Sequence, residues 1–116
     1  MTLNDFLKTL KSAPETVAFE DTISVIDENY KFTETAFKNG DTQSDAGSNN
    51  GSCKILSFAI AEGLTEKQTL HCFGDYYRKD VLEKPNGDDH QNIRQFMTQG
   101  FKGLSFEGAA LKPRKI

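Results

Sequence analysis

Cys53-Lys54-Ile55-Leu56-Ser57-Phe58-Ala59-Ile60-Ala61-Glu62, closed by Gly63, is the stretch on which the fold turns. Its apolar residues fall on nearly every side of a helix, so the pattern predicts a buried central helix over 53–62. Gly63 supplies the stop, and Leu64 the apolar contact that commonly follows one. Beyond it, Thr65 and Gln68 have the spacing of a capping box and open a predicted helix over 66–84. Leu70, Phe73, Tyr77 and Val81 form its buried stripe. Pro85 and Asn86-Gly87 end it. Asp88 or Asp89 then caps a helix over 90–99 that buries Ile93, Phe96 and Met97 and stops at Gly100. Leu104-Ser105-Phe106 alternates as a strand, Glu107-Gly108 turns, and a second short strand reaches Leu111.

On the other side of the central stretch, Leu3, Phe6, Leu7 and Leu10 recur at helical spacing, predicting an amphipathic helix over 3–11 capped by Thr2. Ser12 and Glu15 suggest a capping box with Pro14 in the first turn. Asp21-Thr22 can cap a further turn carrying Ile23, Ile26 and Tyr30, so 14–30 is one bent helix or two. Tyr30 to Phe37 reads as a short strand, with a turn at Asn39-Gly40. Asp41 to Ser52 holds no apolar residue larger than Ala46. A polar run of that length inside a small domain is either a functional loop or a mobile surface loop. The fold class is α+β: a mainly helical single domain of about five helices with a small antiparallel sheet from residues 30–38 and 103–111.

At 116 residues the chain is one domain. Folding hides roughly two-thirds of the surface of a chain this long. The 36% hydrophobic content is supplemented by nine Phe and three Tyr, which bury much area per residue. A net charge of −3 gives a nucleic-acid partner no electrostatic support. The basic tail Lys112-Pro113-Arg114-Lys115 reads as a solvated end. No apolar run approaches the ~20 residues that span a bilayer. Cys53 and Cys72 make no disulfide framework, so a soluble, cytoplasmic protein in a reducing compartment is expected, monomeric, without membrane or nucleic-acid partners.

Chemically capable residues gather in two patches: Asn49-Asn50-Gly51-Ser52-Cys53-Lys54, and Cys72 through Asp75–Asp80 to Asp88–Arg94. Cys53 lies just inside a predicted helix start beside Lys54, where both the free N–H groups and the lysine favour thiolate. His90 could serve as its base, and Asp80 as the orienting group. Cys53, His90 and Asp80 are therefore the candidate catalytic residues of a Cys-dependent hydrolase or acyl transferase. The alternative is that Cys53 packs as a small hydrophobe and His90 belongs to a helix cap. Asp80 falls at helical phase among Phe73, Tyr76 and Tyr77, where a carboxylate must be paired or have a raised pKa. His71, Asp75, Arg78 and Lys79 read as a solvated, salt-linked face. Cys72 reads as packing. Asn49, Asn50, Ser52, Lys54, Asn92 and Arg94 are candidate ligand-binding residues, and the first turn of helix 53–62 could hold an anion. No metal-ligand spacing is present, so neither a metal nor a cofactor is expected.

The same two patches, together with Cys72-Phe73-Gly74-Asp75-Tyr76-Tyr77-Arg78, Asp80-Val81-Leu82, Asp89-His90-Gln91-Asn92-Ile93-Arg94, Ser12-Ala13-Pro14-Glu15-Thr16-Val17 and Val25-Ile26-Asp27-Glu28-Asn29-Tyr30, resemble the HopJ type III effector family. The resemblance covers nearly the whole chain and implies one HopJ-like domain over 1–116 and a bacterial source. It implies no particular reaction, catalytic residue or cofactor. As alternatives to a cytoplasmic module binding a protein or small molecule, it raises secretion by a type III system and action on a host protein. A type III export signal is ordinarily unstructured, whereas 3–11 reads as a core helix.

Overall fold

Thr2 accepts a hydrogen bond from the Asp5 N–H at 3.1 Å and opens α1, Leu3–Ser12, as its sequence predicts. A computed structural model describes residues 2–114. The next expected start is different. The Ser12 hydroxyl donates back to Lys8 O at 2.9 Å, so there is no Ser12–Glu15 box, and Pro14–Thr16 makes a single 3₁₀ turn. α2 spans Phe19–Asn29 behind Ala18, and Asp21-Thr22 does not cap it. Thr22 is buried one turn in, where its hydroxyl donates to Cys72 O at 2.8 Å. That bond ties α2 to the chain around Cys72.

The expected α+β architecture, mainly helical with a little antiparallel sheet, is the observed one. The strands divide into two sheets. β1 (Tyr30–Phe32) pairs antiparallel with β5 (Leu111–Pro113). β2 (Phe37–Asn39) lies between β3 (Thr42–Ser44) and β4 (Leu104–Phe106), antiparallel to both. β3 lies inside the polar run that the sequence pattern leaves without structure. Gly40, at φ +59°, lets the chain reverse there, and β2 already offers a free edge. Phe37 and Phe106 sit opposite each other and stack with ring centroids 5.4 Å apart.

The central helix α3 begins earlier than expected, at Asn50, and runs to Glu62. Gly63 ends it at φ +67°, and the Leu64 N–H closes onto Ala59 O at 2.9 Å. Phe58 is fully buried, with Phe6 and Tyr30 each edge-on at 6.0 Å. The Tyr30 hydroxyl donates to Glu62, which together with burial raises its pKa to about 12. Ile60 is exposed, so α3 is not buried all round.

The predicted helix 66–84 is the main correction. Thr65 and Gln68 make both bonds of the capping box, at 3.0 and 2.9 Å, but the helix they open, α4, spans only Glu66–His71. Gly74 then adopts φ +62°, and the chain resumes as a π-helical turn, Tyr76–Val81. A Cβ on Gly74 would stand 2.6 Å from the Phe19 backbone nitrogen, so the close approach of α2 breaks the helix. The break alters the phase beyond it. Tyr77 and Val81 remain buried, while Tyr76 and Asp80 turn outward. Asp80 is therefore not a carboxylate among aromatic rings. α5, Gln91–Gln99, is capped by neither Asp88 nor Asp89 but begins behind His90. It buries Ile93 and Phe96, leaves Met97 exposed, and stops at Gly100, φ +62°.

Candidate functional site

The first turns of α3 and α5 open into one cleft of about 220 Å³. Asn49, Gly51 and Ser52 line it from α3, and His90, Asn92 and Ile93 from α5. Phe19 at the start of α2, with Phe73 and Tyr76, completes it. Phe19 and Tyr76 meet edge-on with centroids 5.1 Å apart, and the His90 ring lies 5.2 Å from Tyr76. Gly51 admits this wall, since a Cβ there would come within 3.0 Å of Phe19 Cζ.

Asn49 (φ 54°) and His90 (φ 51°) are the non-glycine residues with positive φ among those described. Each stands at the N-cap of its helix, and neither side chain accepts from the helix it precedes. Left-handed backbone is uncommon outside glycine and collects at functional sites. Asn49 Nδ2 instead donates to Ser44 Oγ at 2.9 Å, tying the start of α3 to β3. The first intrahelical bonds come from the Cys53 N–H to Asn49 O and from the Ile93 and Arg94 N–H groups to His90 O. The N–H groups ahead of them are the unpaired donors every helix start carries, here without a capping side chain.

The candidate residues divide. Asn49, Ser52, His90 and Asn92 come together in the cleft. Asp80 stands at its edge, its Oδ2 3.0 Å from His90 Nε2, with Asp89 Oδ2 at 3.9 Å from the same nitrogen. Asn50 turns to Glu34 at 3.2 Å. Lys54 turns to Asp27 at 2.9 Å and lies over the Phe32 ring. Arg94 is engaged away from the cleft. It donates to Asp89 O and Oδ1, both at 2.6 Å, and to Lys84 O at 2.9 Å, fixing the loop before α5. The same hydrogen bond holds the Asp89 carboxyl below its ordinary pKa.

The expectation of an activated Cys53 is corrected by the earlier start of α3, which moves the residue off the helix terminus. Its side chain is 1% exposed, and its Sγ lies 3.7 Å from Thr35 O. Burial raises the thiol pKa, opposite to what a nucleophile needs, and His90 is not among its hydrogen-bond partners. Cys72 is packed as expected, its pKa pushed up to about 12 by burial. Among the described residues, no group of His, Cys, Asp or Glu has the arrangement of a metal site, and no helix is long and apolar enough to cross a membrane.

A larger hollow of about 330 Å³ lies on the far side of the Phe19–Tyr76 pair, bounded by 15–20, Asp75 and Arg78. Its one guanidinium is already engaged. Arg78 donates to Val17 O, and to Pro14 O and His71 O at 3.3 Å. It therefore braces the chain behind Phe19 rather than lying on a solvated face. Sequence reasoning also missed Phe19 and Tyr76 as wall residues. The available signal was Gly74, an isolated glycine within a helical pattern, which costs about 1 kcal/mol relative to alanine and so weakens the case for one unbroken helix over 66–84.

No curated protein matches the chain. A solved structure, described as the crystal structure of the unknown function protein VPA0580, is 52% identical. The match covers 98% of this chain and 95% of the other, with a TM-score of 0.96. The family described as HopJ type III effector protein matches residues 3–111, which is nearly all of the sequence that forms the core and both helix starts of the cleft. The chain belongs to the HopJ type III effector family.

Proposed function

We propose that the chain is a binding module whose site is the cleft between the first turns of α3 and α5. The observation that carries this reading is the meeting there of Asn49 and His90, the two left-handed N-cap residues, opposite an aromatic wall. Local backbone strain of this kind persists where the surroundings enforce it, and here both instances serve one surface. An aromatic wall facing a few fixed polar groups is the usual composition of a ligand site. At about 220 Å³ the cleft is smaller than a drug-sized pocket, so it suits one small molecule or one protruding group of a larger partner.

Titrating the isotope-labelled chain with a library of small aromatic and polar fragments tests the reading. Binders should shift the amide resonances of Gly51, Ser52, His90 and Asn92 together, and Tyr76→Ala should weaken them. Fragments that shift only residues outside this set would defeat the proposal. Export through a type III system, which the family description suggests, would decide where the module acts; removal of α1, argued below, bears on it separately.

A further inference from the structure

We infer that the cleft recognises a carboxylate, carried on a flat apolar body. This deepens the binding reading and rests on it. The strongest indication is the orientation of Asn92, a residue 6% exposed that lines the cleft. Fully buried Asn39 donates its Nδ2 both to the Asn92 backbone oxygen, at 2.7 Å, and to Asn92 Oδ1, at 3.0 Å. Turning the Asn39 amide over would set its oxygen against a backbone carbonyl, so that carbonyl fixes which end of Asn39 is the donor. Asn39 in turn fixes Asn92, whose oxygen is engaged and whose Nδ2 has no hydrogen-bond partner among the described residues. The arrangement leaves Asn39 Oδ1 buried without a partner. The bond from Asn39 holds the Asn92 amide in one sense, and because Asn92 lines the cleft, its Nδ2 is the donor left over for a ligand there.

The helix starts add donors of the same sign. The N–H groups of Gly51 and Ser52 in α3, and of Gln91 and Asn92 in α5, precede the first intrahelical bonds. Two helix N-termini give the cleft a positive potential. Asp80 and Asp89 oppose it from the His90 side, at 3.0 and 3.9 Å from Nε2, and Arg94 neutralises Asp89. A phosphate dianion would double the attraction to the helix starts and the repulsion from those carboxylates alike, so charge does not separate the two anions. What separates them is the aromatic wall, which a carboxylate on a flat apolar body covers and inorganic phosphate leaves bare. Phe19 and Tyr76 provide the apolar face for the rest of the ligand.

Benzoate, its neutral counterpart benzamide and inorganic phosphate, each titrated into the full chain by NMR, form the test. N-acetylphenylalanine and its amide form a further arm, standing for the end of a polypeptide. Benzoate is expected to bind at least about tenfold more tightly than benzamide, because charge-assisted hydrogen bonds are roughly twice as strong as neutral ones. It should shift Gly51, Ser52 and Asn92. Asn92→Asp keeps the acceptor that Asn39 requires and replaces the free donor with an acceptor. It should weaken benzoate by at least about tenfold and leave benzamide within about twofold. Tighter binding of N-acetylphenylalanine than of benzoate would support the carboxylate and assign it to a chain end. Benzamide matching benzoate in the cleft would overturn the carboxylate inference while keeping the binding module. Phosphate binding more tightly than benzoate would also overturn it. If none of these probes shifts the cleft, the inference fails, whereas the binding module fails only if the fragment library misses the cleft too. Should Asn92→Asp not fold, the benzoate–benzamide comparison on the unaltered chain decides.

Discussion

The helix starts at Thr65 and at Asn49 follow opposite rules. At α4 the Thr65 hydroxyl and the Gln68 amide satisfy each other's backbone donors, and Thr65 itself is in ordinary extended conformation. At α3, Asn49 is left-handed, its side chain points away to β3, and the first N–H groups go uncapped. α1 starts in the manner of α4, and α5 in the manner of α3. The two capped starts belong to the scaffold and the two left-handed starts form the cleft, while α2, which starts behind extended Ala18 without a side-chain cap, brings Phe19 to the cleft wall. Local rules hold where stability alone governs, and their failures collect at the site.

The largest expected effect tests whether α1 is scaffold. Deleting residues 1–10 removes buried Phe6 and Leu10, and Leu3 and Leu7 that pack against the core. Each buried apolar side chain contributes about 1.5–3 kcal/mol, against a total of about 5–15 kcal/mol for a domain. The truncated chain should show no cooperative melt by circular dichroism. A truncated chain that melts as the full one does would free the N-terminus to act as an export signal, and would remove α1 from the scaffold side of the comparison.

The next effect separates core from cleft among the aromatic residues. Phe58→Ala should cost about 3–5 kcal/mol in a denaturant titration, since the residue is fully buried between Phe6 and Tyr30. Tyr76→Ala should cost about 1 kcal/mol or less, because the ring is 42% exposed. Similar losses at the two positions would show that Tyr76 is a structural residue.

The scaffold side was largely legible in the sequence. Thr2, the Thr65–Gln68 box, Gly63 and Gly100 each express a one-residue backbone requirement that local chemistry reveals. The cleft was half legible. Asn49, Ser52, His90 and Asn92 were candidates because polar residues cluster there. Phe19 and Tyr76 were not, because their meeting depends on the approach of α2 to Gly74, a tertiary contact some fifty residues apart in sequence, like the Thr22–Cys72 bond beside it. Asp80, Arg78 and Cys53 were misplaced for related reasons. The first two depend on the phase after the Gly74 break, and Cys53 depends on α3 starting a turn earlier than its apolar residues indicate. Asp41–Ser52 concealed a strand because β3 gains its stability from pairing with β2, not from its own polar sequence.

Smaller effects test the helix starts directly. Thr65→Ala should lose about 1 kcal/mol by removing the cap. His90→Gly should lose nothing, or gain up to about 1 kcal/mol, because glycine relieves the left-handed strain. The exposed contact to Asp80 that it gives up is worth at most about 1 kcal/mol. Denaturant titration of the two variants side by side checks this. A loss at His90→Gly as large as that at Thr65→Ala would mean that the left-handed start is an ordinary structural element, and the contrast between the two classes of helix start would fail.

The smallest expected effect concerns pH and the brace behind the cleft wall. Arg78 Nη1 lies 3.2 Å from His71 Nδ1, where a guanidinium can donate only to an imidazole nitrogen that carries no proton. Burial lowers the His71 pKa, the charges of Arg78 and Lys67 lower it further, and Glu15 acts in the opposite direction. The Tyr77 ring stands edge-on at 5.5 Å. With the folded pKa below the ordinary value of about 6.5, the unfolded chain takes up the proton first as pH falls. Stability from this group is therefore fully present above about pH 6.5, declines as pH is lowered below it, and levels off once pH is below the folded pKa. Asp89, the other group with a lowered pKa, loses its contribution only in the carboxylate range, below about pH 4. The two windows do not overlap near neutrality. Denaturant midpoints at about pH 7.5 and about pH 5.5 should differ in the natural chain, and differ less in His71→Gln, which keeps an acceptor for Arg78 and removes the titration. Because Arg78 also holds Pro14 O and Val17 O, the same acid step should increase hydrogen exchange at Val17, whose N–H bonds Pro14 O, and at Thr22, whose N–H bonds Ala18 O, before it does so at Phe58. Equal pH dependence in the two chains would show that His71 does not titrate against Arg78, and that the wall carrying Phe19 is held by packing alone.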